Sequence, residues 1–410
     1  MKRISFLLFG LALLLQSCLK DQVYRKTTVY VPQYKTKQAV IEGIASGTPV
    51  PLSSPGKIFY KDGFVFLNEL NKGIHIIDVK NPAAPNNIAF VNIPGSVDMA
   101  VRGNTLYADM YTDLVAIDIS NPKSVKVSSI LPGVFPQRYY WGFNADSNMI
   151  ITDWVAVDTV LQEGQYFSWG VRRDVLYTAV ATASSGVSNG TGGSMARFAL
   201  SSDRLYTVDN SDLRVFDVAA PEKPSFVNKV SAGGWGIETI YPFGKNLFIG
   251  SMTGMFIFDI SDKNKPIQLG TFSHARVCDP VISDGTYAYV TLRSGSTCQG
   301  FNNQLDVVDI AYLSKPSLLK TYPLTNPHGL SKEGNVLVIC DGADGVKFFD
   351  ATNVKNILPL SQVKGMNAYD VITIGTIAIV SAQDALYLID FSNPAKPAVK
   401  STINISPNKN

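Results

Sequence analysis

The chain has 410 residues with 36 lysines and arginines, 33 aspartates and glutamates and three histidines, which gives a formal net charge of +3 at pH 7. A balance so close to neutral argues against nucleic acid as a partner, because such binding depends on a strong basic surface. The chain is 17% charged and contains 32 glycines and 22 prolines, a composition typical of short strands joined by tight turns. Its length does not require two domains, since a radial repeat protein grows by adding modules.

The first 17 residues have the three parts of an export signal. Lys2 and Arg3 open the chain, an apolar run extends from Phe6 to Leu15, and small and polar residues precede Cys18. The run is too short to span a bilayer and is typical of a segment that is removed. This end resembles the lipobox of bacterial lipoproteins, so we expect acyl chains on Cys18 and an outer-membrane protein that faces the periplasm or the cell exterior.

An apolar pentad that ends in aspartate occurs seven times. The pentads are Ile74 to Asp78, Leu114 to Asp118, Leu213 to Asp217, Met255 to Asp259, Leu305 to Asp309, Val346 to Asp350 and Leu386 to Asp390. Successive aspartates are 40, 99, 42, 50, 41 and 40 residues apart, close to the period of about 40 to 45 residues of a propeller blade. The 99-residue step has room for one degenerate blade, so we favour eight blades and keep seven as the alternative.

The residues around each pentad predict the other strands of a blade. Proline clusters such as Asn81-Pro82 and Asn393-Pro394 follow the pentads and end a strand, because proline cannot donate to a ladder. Polar turns such as Gly103-Asn104 precede a second apolar run and indicate a hairpin. The sequence therefore predicts an all-β propeller with four-stranded antiparallel blades, in which the repeated aspartates stabilise turns.

The pentads and their Asn-Pro continuations resemble the LVIVD-repeat family of bacterial proteins, most closely at Leu114 to Asp118 and Leu386 to Asp390. This resemblance covers most of Lys57 to Ile405 and implies a β-propeller, often on an exported or lipid-anchored protein, with no established activity. We expect a signal peptide over 1–17, a lipidated tether and N-terminal strap over 18–54, and a propeller over 55–410. A degenerate blade and an insertion are expected around 138–194.

Aligning the predicted inner strands places polar groups near their starts, where they could surround a central channel. This candidate channel ring consists of Asp98, Glu238, Asp279, His328 and Asp370. Converging carboxylates need a counter-charge once they leave water, which suggests a site for a cation, a sugar or a peptide. The alternative is a solvent-filled channel lined by polar groups.

The loops that lead into the inner strands should lie at one end of the ring and form a recognition surface. The candidate binding face consists of Arg138, Tyr139, Trp141, Trp235, His274, Arg276 and Tyr369. Exposed aromatic residues with arginine and histidine are typical of such surfaces. Each could instead pack against the neighbouring blade.

Cysteine and histidine positions suggest one disulfide and no metal centre. Antiparallel pairing would bring Cys278 and Cys298 to one end of a blade, where an exported chain could oxidise them, while Cys340 would remain a buried thiol. His274 and His328 belong to separate blades and have no short ligand spacing, so no metal site and no cofactor are predicted. A structural cation in the channel stays open.

No catalytic motif is found, and no catalytic residue is assigned. The favoured interpretation is a non-enzymatic, lipid-anchored propeller that binds a protein, peptide or glycan. One alternative is a glycan- or polymer-active enzyme that uses carboxylates at the channel mouth. The other is a structural component of an envelope complex with an apolar docking patch.

Overall fold

The structure is a computed structural model that describes residues 24–136, 138, 148–162, 191–234, 236–274, 280–294 and 303–405. It divides into two compact units. One contains Met1–Lys37 and Tyr139–Tyr177, and the other contains Gln38–Arg138 and Thr178–Asn410.

The smaller unit is a two-stranded antiparallel ribbon. Its strands are β1 (Tyr24–Thr36) and β11 (Met149–Gln162), which pair along their whole length with one irregularity between Gln33 and Tyr34. Alternating residues such as Val29 and Val31 lie opposite Val157 and Val155, so β-branched side chains form cross-strand pairs.

The larger unit is an all-β propeller of seven four-stranded antiparallel blades. Before the first blade lie helix α1 (Lys37–Glu42) and strand β2 (Ser46–Gly47). Blade 1 consists of β3 (Pro55–Lys61), β4 (Phe64–Glu69), β5 (Gly73–Asp78) and β6 (Asn86–Asn92). Blade 2 consists of β7 (Met99–Arg102), β8 (Thr105–Met110), β9 (Asp113–Asp118) and β10 (Lys126–Leu131). Blade 3 follows the short strand β12 (Thr191–Gly192) and consists of β13 (Phe198–Ser201), β14 (Arg204–Val208), β15 (Asp212–Asp217) and β16 (Ser225–Ser231).

Blades 4 to 7 follow without interruption in chain order. Blade 4 consists of β17 (Ile237–Phe243), β18 (Asn246–Ser251), β19 (Gly254–Asp259) and β20 (Ile267–Ser273). Blade 5 consists of β21 (Val281–Ser283), β22 (Tyr287–Leu292), β23 (Gln304–Asp309) and β24 (Ser317–Pro323), and blade 6 of β25 (Leu330–Glu333), β26 (Val336–Cys340), β27 (Val346–Asp350) and β28 (Leu358–Val363). Blade 7 consists of β29 (Ala368–Ile374), β30 (Ile377–Ala382), β31 (Ala385–Asp390) and β32 (Ala398–Asn404).

Each pentad forms the third strand of a blade, and its aspartate builds the following turn. In all seven cases one carboxylate oxygen accepts a hydrogen bond of 2.8 to 3.0 Å from the backbone amide two residues later. This is the turn-stabilising role expected of a repeated aspartate. The copies therefore serve the fold and carry no chemistry of their own.

The hydrophobic core lies between neighbouring blades, and the ring closes by the same packing. Leu67 and Ile58 of blade 1 share one cluster with Ile379 and Leu388 of blade 7. A single parallel bridge between Leu52 and Ile405 joins the two ends of the propeller.

The favoured count of eight blades is wrong, and the alternative of seven is confirmed. Strands β7 of blade 2 and β13 of blade 3 are in contact, so the chain between these blades does not separate them around the ring. The described part of the expected degenerate blade around 138–194 forms ribbon strand β11 and the short strand β12 instead. The expectation of an eighth blade rested on the length of the 99-residue step, and length alone does not say which sheet the strands in it join.

Residues 38–54 comprise most of α1 and the chain that leads from it along the outer edge of the first blade. Strand β2 pairs with β6, and Val40, Ile44 and Leu52 are buried. Among the described residues, no helix is long and apolar enough to cross a membrane.

Candidate functional site

The upper face is the end of the propeller formed by the connections that lead into the innermost strands and those between the second and third strands. In each blade the pentad pairs with the second strand, and the second strand pairs with the innermost strand. Following this pairing from the second residue of the pentad leads to one residue of the innermost strand, which serves as a reference position. In blades 1, 2, 3 and 7 the residues just before this position are Lys57, Asp98, Arg197 and Asp370. We call these four residues the axial charge group.

In the axial charge group, opposite charges lie together away from water. Lys57 Nζ is 2.8 Å from Asp98 Oδ2, and these side chains are only 3% and 1% exposed. The backbone amide of Arg197 also donates to Asp98 Oδ2, and Asp98 Oδ1 accepts from the amide of Met99 at 2.7 Å. Burial lowers the pKa of Lys57, against the opposing effect of Asp98. This pair connects blades 1 and 2 at the axis.

The segment from Thr191 to Arg197 occupies the axial space beside this pair. Its strand β12 adds to the axial side of β3, and Gly193 N donates to Ile58 O at 3.0 Å. Ser194 Oγ accepts from the Leu330 amide of blade 6 at 2.5 Å. Residues 192–196 are all buried, so this side of the axis is filled by the chain rather than by solvent.

Asp370 lies against this segment and is 2% exposed. Its Oδ1 accepts from the Val371 amide at 2.9 Å and from Ser194 Oγ at 3.4 Å, while Oδ2 has no hydrogen-bond partner among the described residues. Burial raises the pKa of Asp370 to about 8, although its hydrogen bonds and the charge of Lys57 act in the opposite direction. A neutral carboxyl group therefore predominates at pH 7.

A second group of side chains lies one residue nearer the upper face. In blades 4, 6 and 7, the residues one position before that of the axial charge group are Glu238, His328 and Tyr369. Arg293 follows β22 of blade 5 on the same face. We call these four residues the Arg293 cluster.

Hydrogen bonds and ring packing hold the Arg293 cluster. The rings of His328 and Tyr369 are 5.3 Å apart, Thr291 Oγ1 donates to His328 O at 2.7 Å, and the Gly329 amide donates to Tyr369 O at 2.8 Å. Asn326 Nδ2 lies 3.3 Å from His328 Nε2. These contacts hold His328 and Tyr369 together, while Glu238 and Arg293 join the cluster through their charges.

Electrostatics within the cluster leave one cation and a neutral imidazole. Burial lowers the pKa of Arg293, while the negative charge of Glu238 raises it. Burial, aided by the charge of Arg293, lowers the pKa of His328 to about 3, so this ring is neutral at pH 7. Burial also raises the pKa of Tyr369, which keeps its hydroxyl protonated. His328 and Tyr369 can therefore act as neutral hydrogen-bonding groups.

Arg138 of the predicted binding face is held by blades 1 and 2. One guanidinium nitrogen donates to Asn71 Oδ1 at 2.7 Å, another donates to Gly95 O, and the group lies 5.0 Å from the centre of the Tyr111 ring. Asp109 Oδ2 is 3.6 Å away. These contacts make Arg138 a structural residue of this face.

The other predicted residues separate into two sets. His274 lies at the end of blade 4, where its ring is 6.4 Å from that of Phe272. Eight predicted positions lie outside the described residues, namely Cys18, Tyr139, Trp141, Trp235, Arg276, Cys278, Asp279 and Cys298. The Cys278–Cys298 disulfide therefore stays a prediction. Cys340 is a buried free thiol, as expected, and burial raises its pKa.

Carboxylates at the ends of several second strands organise the upper face, and sequence analysis missed them. Asp109 Oδ1 accepts from the amides of Val97 and Asp98 at 2.8 and 2.9 Å. Asp341 Oδ1 does the same for Asn326 at 2.7 Å, and Asp341 Oδ2 pairs with Lys347. The amide partners lie in the connection that leads into the first strand of the same blade, which no local motif reveals. Within the described part of the chain, no three histidine, cysteine or acidic side chains are grouped to hold a metal ion.

Comparison with known protein families matches the LVIVD repeat at residues 57–92, 95–130, 277–323 and 366–405. Each matched segment covers strands of one blade. The chain is an LVIVD-repeat β-propeller. No curated protein matches the chain.

Solved structures share the fold of this LVIVD-repeat propeller. A protein from Lactobacillus plantarum matches with a TM-score of 0.56 at 12% identity, over 86% of this chain and 97% of the other. The periplasmic gluconolactonase PpgL of Pseudomonas aeruginosa gives 0.51 at 11% identity, over 86% and 97%. The computationally designed protein Ika8 gives 0.52 at 9% identity, over 88% and 93%. At these identities the similarity concerns the fold alone.

Proposed function

We propose that this protein is a lipid-anchored propeller of the bacterial cell envelope that binds a protein, peptide or glycan through its upper face. The observation that carries this proposal is the Arg293 cluster. In it the rings of His328 and Tyr369, from two blades, lie 5.3 Å apart with the Asn326 amide 3.3 Å from His328, and the charge of Arg293 acts on both rings. Surfaces with this mixture of side chains are typical of recognition sites.

The state of the axial carboxylates supports binding rather than glycan hydrolysis. A glycosidase needs two carboxyl groups about 5 to 10 Å apart in an accessible pocket. Asp98 is buried in an ion pair with Lys57, and Asp370 is buried beneath the segment that contains Ser194. Neither carboxyl group is placed to meet a polymer from solution.

The binding proposal is tested by capturing envelope material on the immobilised protein. An Arg293→Gln/Tyr369→Ala variant should retain much less than the parent protein. The matched control is Lys315→Gln/Tyr312→Ala, which removes an exposed cation and a 79% exposed tyrosine from the opposite end of blade 5. Equal retention by both variants would contradict the assignment of the upper face.

The anchor is proposed from the sequence around Cys18. Cells grown with an alkyne-labelled palmitate should label the parent protein and leave a Cys18→Ser variant unlabelled. The variant should also leave the membrane fraction, because a protein without its acyl chains loses the hydrophobic part of its attachment. Label on the variant, or an unchanged distribution, would contradict this part of the proposal.

A further inference from the structure

Three carboxamide side chains lie on the upper face where blades 6 and 7 meet. Asn326 belongs to the connection that leads into blade 6, Asn367 to the connection that leads into blade 7, and Gln383 to the connection between β30 and β31. Gln383 is exposed, and the two asparagines are half-buried. Together with the half-buried Tyr369 of β29, these residues form a surface that we call the amide patch.

Hydrogen bonds hold the blade 7 part of the amide patch together. Asn367 Nδ2 donates to Gln383 Oε1 at 2.9 Å and to Tyr369 Oη at 3.2 Å. The backbone amide of Gln383 also donates to Asn367 O at 2.9 Å. One asparagine therefore fixes both the exposed glutamine and the tyrosine hydroxyl in place.

Asn326 joins the amide patch from blade 6. Its Nδ2 is 3.3 Å from His328 Nε2, and the ring of His328 is 5.3 Å from that of Tyr369. The same Nδ2 atom would lie 2.6 Å from a Cβ added to Gly342, whose carbonyl accepts from the Ala368 amide at 2.9 Å. Backbone contact between the two blades therefore brings their parts of the patch side by side.

Several hydrogen-bonding atoms of the amide patch have no partner within the described part of the chain. Asn326 Oδ1 and Asn367 Oδ1 are such acceptors, and Gln383 Nε2 is such a donor. The Tyr369 hydroxyl accepts from Asn367 and keeps a proton to donate, because burial raises the pKa of this group. At pH 7 the patch therefore offers both donors and acceptors from groups that carry no charge.

Uncharged donors and acceptors beside an aromatic ring suit a neutral saccharide. A planar carboxamide accepts from one sugar hydroxyl and donates to the next, and the apolar face of a pyranose ring packs on an aromatic side chain. A peptide backbone also pairs with carboxamides, but it has no apolar ring face to pack on Tyr369. The combination of amides with a half-buried tyrosine therefore favours a sugar over a peptide.

We propose that the amide patch binds a neutral saccharide, with a pyranose ring packed on Tyr369 and its hydroxyl groups paired with Asn367 and Gln383. Asn326 extends the site towards blade 6, where it meets a second sugar unit. This inference rests on the proposed binding function of the upper face and adds the chemical class of the ligand.

The test measures the binding of four neutral disaccharides by saturation-transfer NMR on the full-length folded chain with Cys18→Ala. The probes are cellobiose, maltose, lactose and N,N′-diacetylchitobiose, and we expect at least one of them to bind. Gln383→Ala should weaken that binding by about three- to tenfold, the effect of losing one or two hydrogen bonds. Tyr369→Ala should weaken it by at least about tenfold, because the ring contact is lost as well.

Matched variants separate the site from general effects. Gln268→Ala removes an exposed carboxamide from the outer strand of blade 4 and should leave disaccharide binding unchanged. Tyr369→Phe keeps the ring and should weaken binding less than Tyr369→Ala does. Thermal unfolding of each variant checks that the propeller is intact, and the exposed Gln383 supplies the decisive comparison if Tyr369→Ala does not fold.

Three results would overturn the proposal. The first is that none of the four disaccharides binds, and the second is that binding is unchanged in Gln383→Ala. The third is that tetra-alanine competes as well as the bound disaccharide, which would assign the patch to a peptide.

The outcomes distinguish this inference from the broader function. If no disaccharide binds but envelope material is still lost from the Arg293→Gln/Tyr369→Ala variant, the saccharide assignment fails and the binding face stands. If that variant also retains envelope material normally, both proposals fail.

Discussion

The axial charge group, from blades 1, 2, 3 and 7, and the Arg293 cluster, from blades 4 to 7, lie at neighbouring levels of the propeller and balance charge differently. Lys57 has Asp98 from the neighbouring blade at 2.8 Å, and both side chains are almost inaccessible. Arg293 lies among the neutral groups of His328 and Tyr369, with Glu238 as its described acidic neighbour. The difference teaches that polar side chains at neighbouring levels of one propeller can form either a closed, buried ion pair or a group that mixes charged and neutral side chains.

The strongest way to break the comparison is to remove the counter-charge of Lys57. Asp98→Ala leaves a buried ammonium group without its partner, and we expect a loss of about 3 to 5 kcal/mol in the free energy of unfolding. Urea denaturation measures this loss. A Lys57→Met/Asp98→Leu variant should recover most of it, because apolar groups of similar size need no counter-charge. A loss below about 1 kcal/mol for Asp98→Ala would show that the pair does not stabilise the ring.

Asp370 should make the stability of the propeller depend on pH. Its folded pKa is about 8 and its usual value is 3.8, so between these values the folded state holds a proton that the unfolded state has lost. The contribution of Asp370 is therefore present at acidic pH and is lost as pH rises, by up to about 1.4 kcal/mol per pH unit. Asp370→Asn should equal the parent near pH 4 and exceed it increasingly towards pH 8.

Urea denaturation at pH 5, 6.5 and 8 gives the difference between Asp370→Asn and its parent, in which the titration of all other groups cancels. A difference that stays constant over this range would contradict the raised pKa.

The fit of the axial segment can be tested at Gly193. A Cβ atom there would lie well inside contact distance of the Asp370 carboxylate, so Gly193→Ala should cost about 1 to 3 kcal/mol of stability. The cost should fall sharply in an Asp370→Ala background, because the two sites share one contact. Gly47→Ala is the control, since nothing lies within 4 Å of its added Cβ. Equal effects of the two alanine variants would refute the close packing.

The smallest effect on the free energy of unfolding is expected from a substitution of Arg293. Arg293→Gln should change the free energy of unfolding by no more than about 0.5 kcal/mol, because this side chain is only partly buried. Thermal and urea unfolding with Asp98→Ala measured in parallel give the comparison. A loss above about 1.5 kcal/mol would identify Arg293 as a second structural ion and not as a ligand-facing group.

The fold was predictable because the pentad repeats with its turn, and each copy forms the same strand. The blade number was not, because the 99-residue step between pentads has room for a blade without showing what the chain forms there, and β11 in that step pairs with β1 in the ribbon. Inner-strand alignment placed Asp98, His328 and Asp370 near the starts of innermost strands, and the structure buries all three side chains there.

The sequence carries a spacing signal for the two cations of the axial charge group. Lys57 precedes Asp98 by 41 residues, and Arg197 precedes Glu238 by the same number, which is one blade period. Arg293 had no comparable signal, since it lies between the second and third strands of blade 5, where the spacing of pentads is longest within an uninterrupted pair of blades. Its role depends on neighbours from three other blades.

The segment from Thr191 to Arg197 has a consequence for the order in which the chain can be assembled. Ser194 meets Leu330 and Asp370, which lie 136 and 176 residues later, so these contacts cannot form until nearly the whole polypeptide has been synthesised. Contacts this distant in sequence are slow to form. The first three blades can acquire their strands early, but the packing around the axis can be completed only after the last blade has been synthesised.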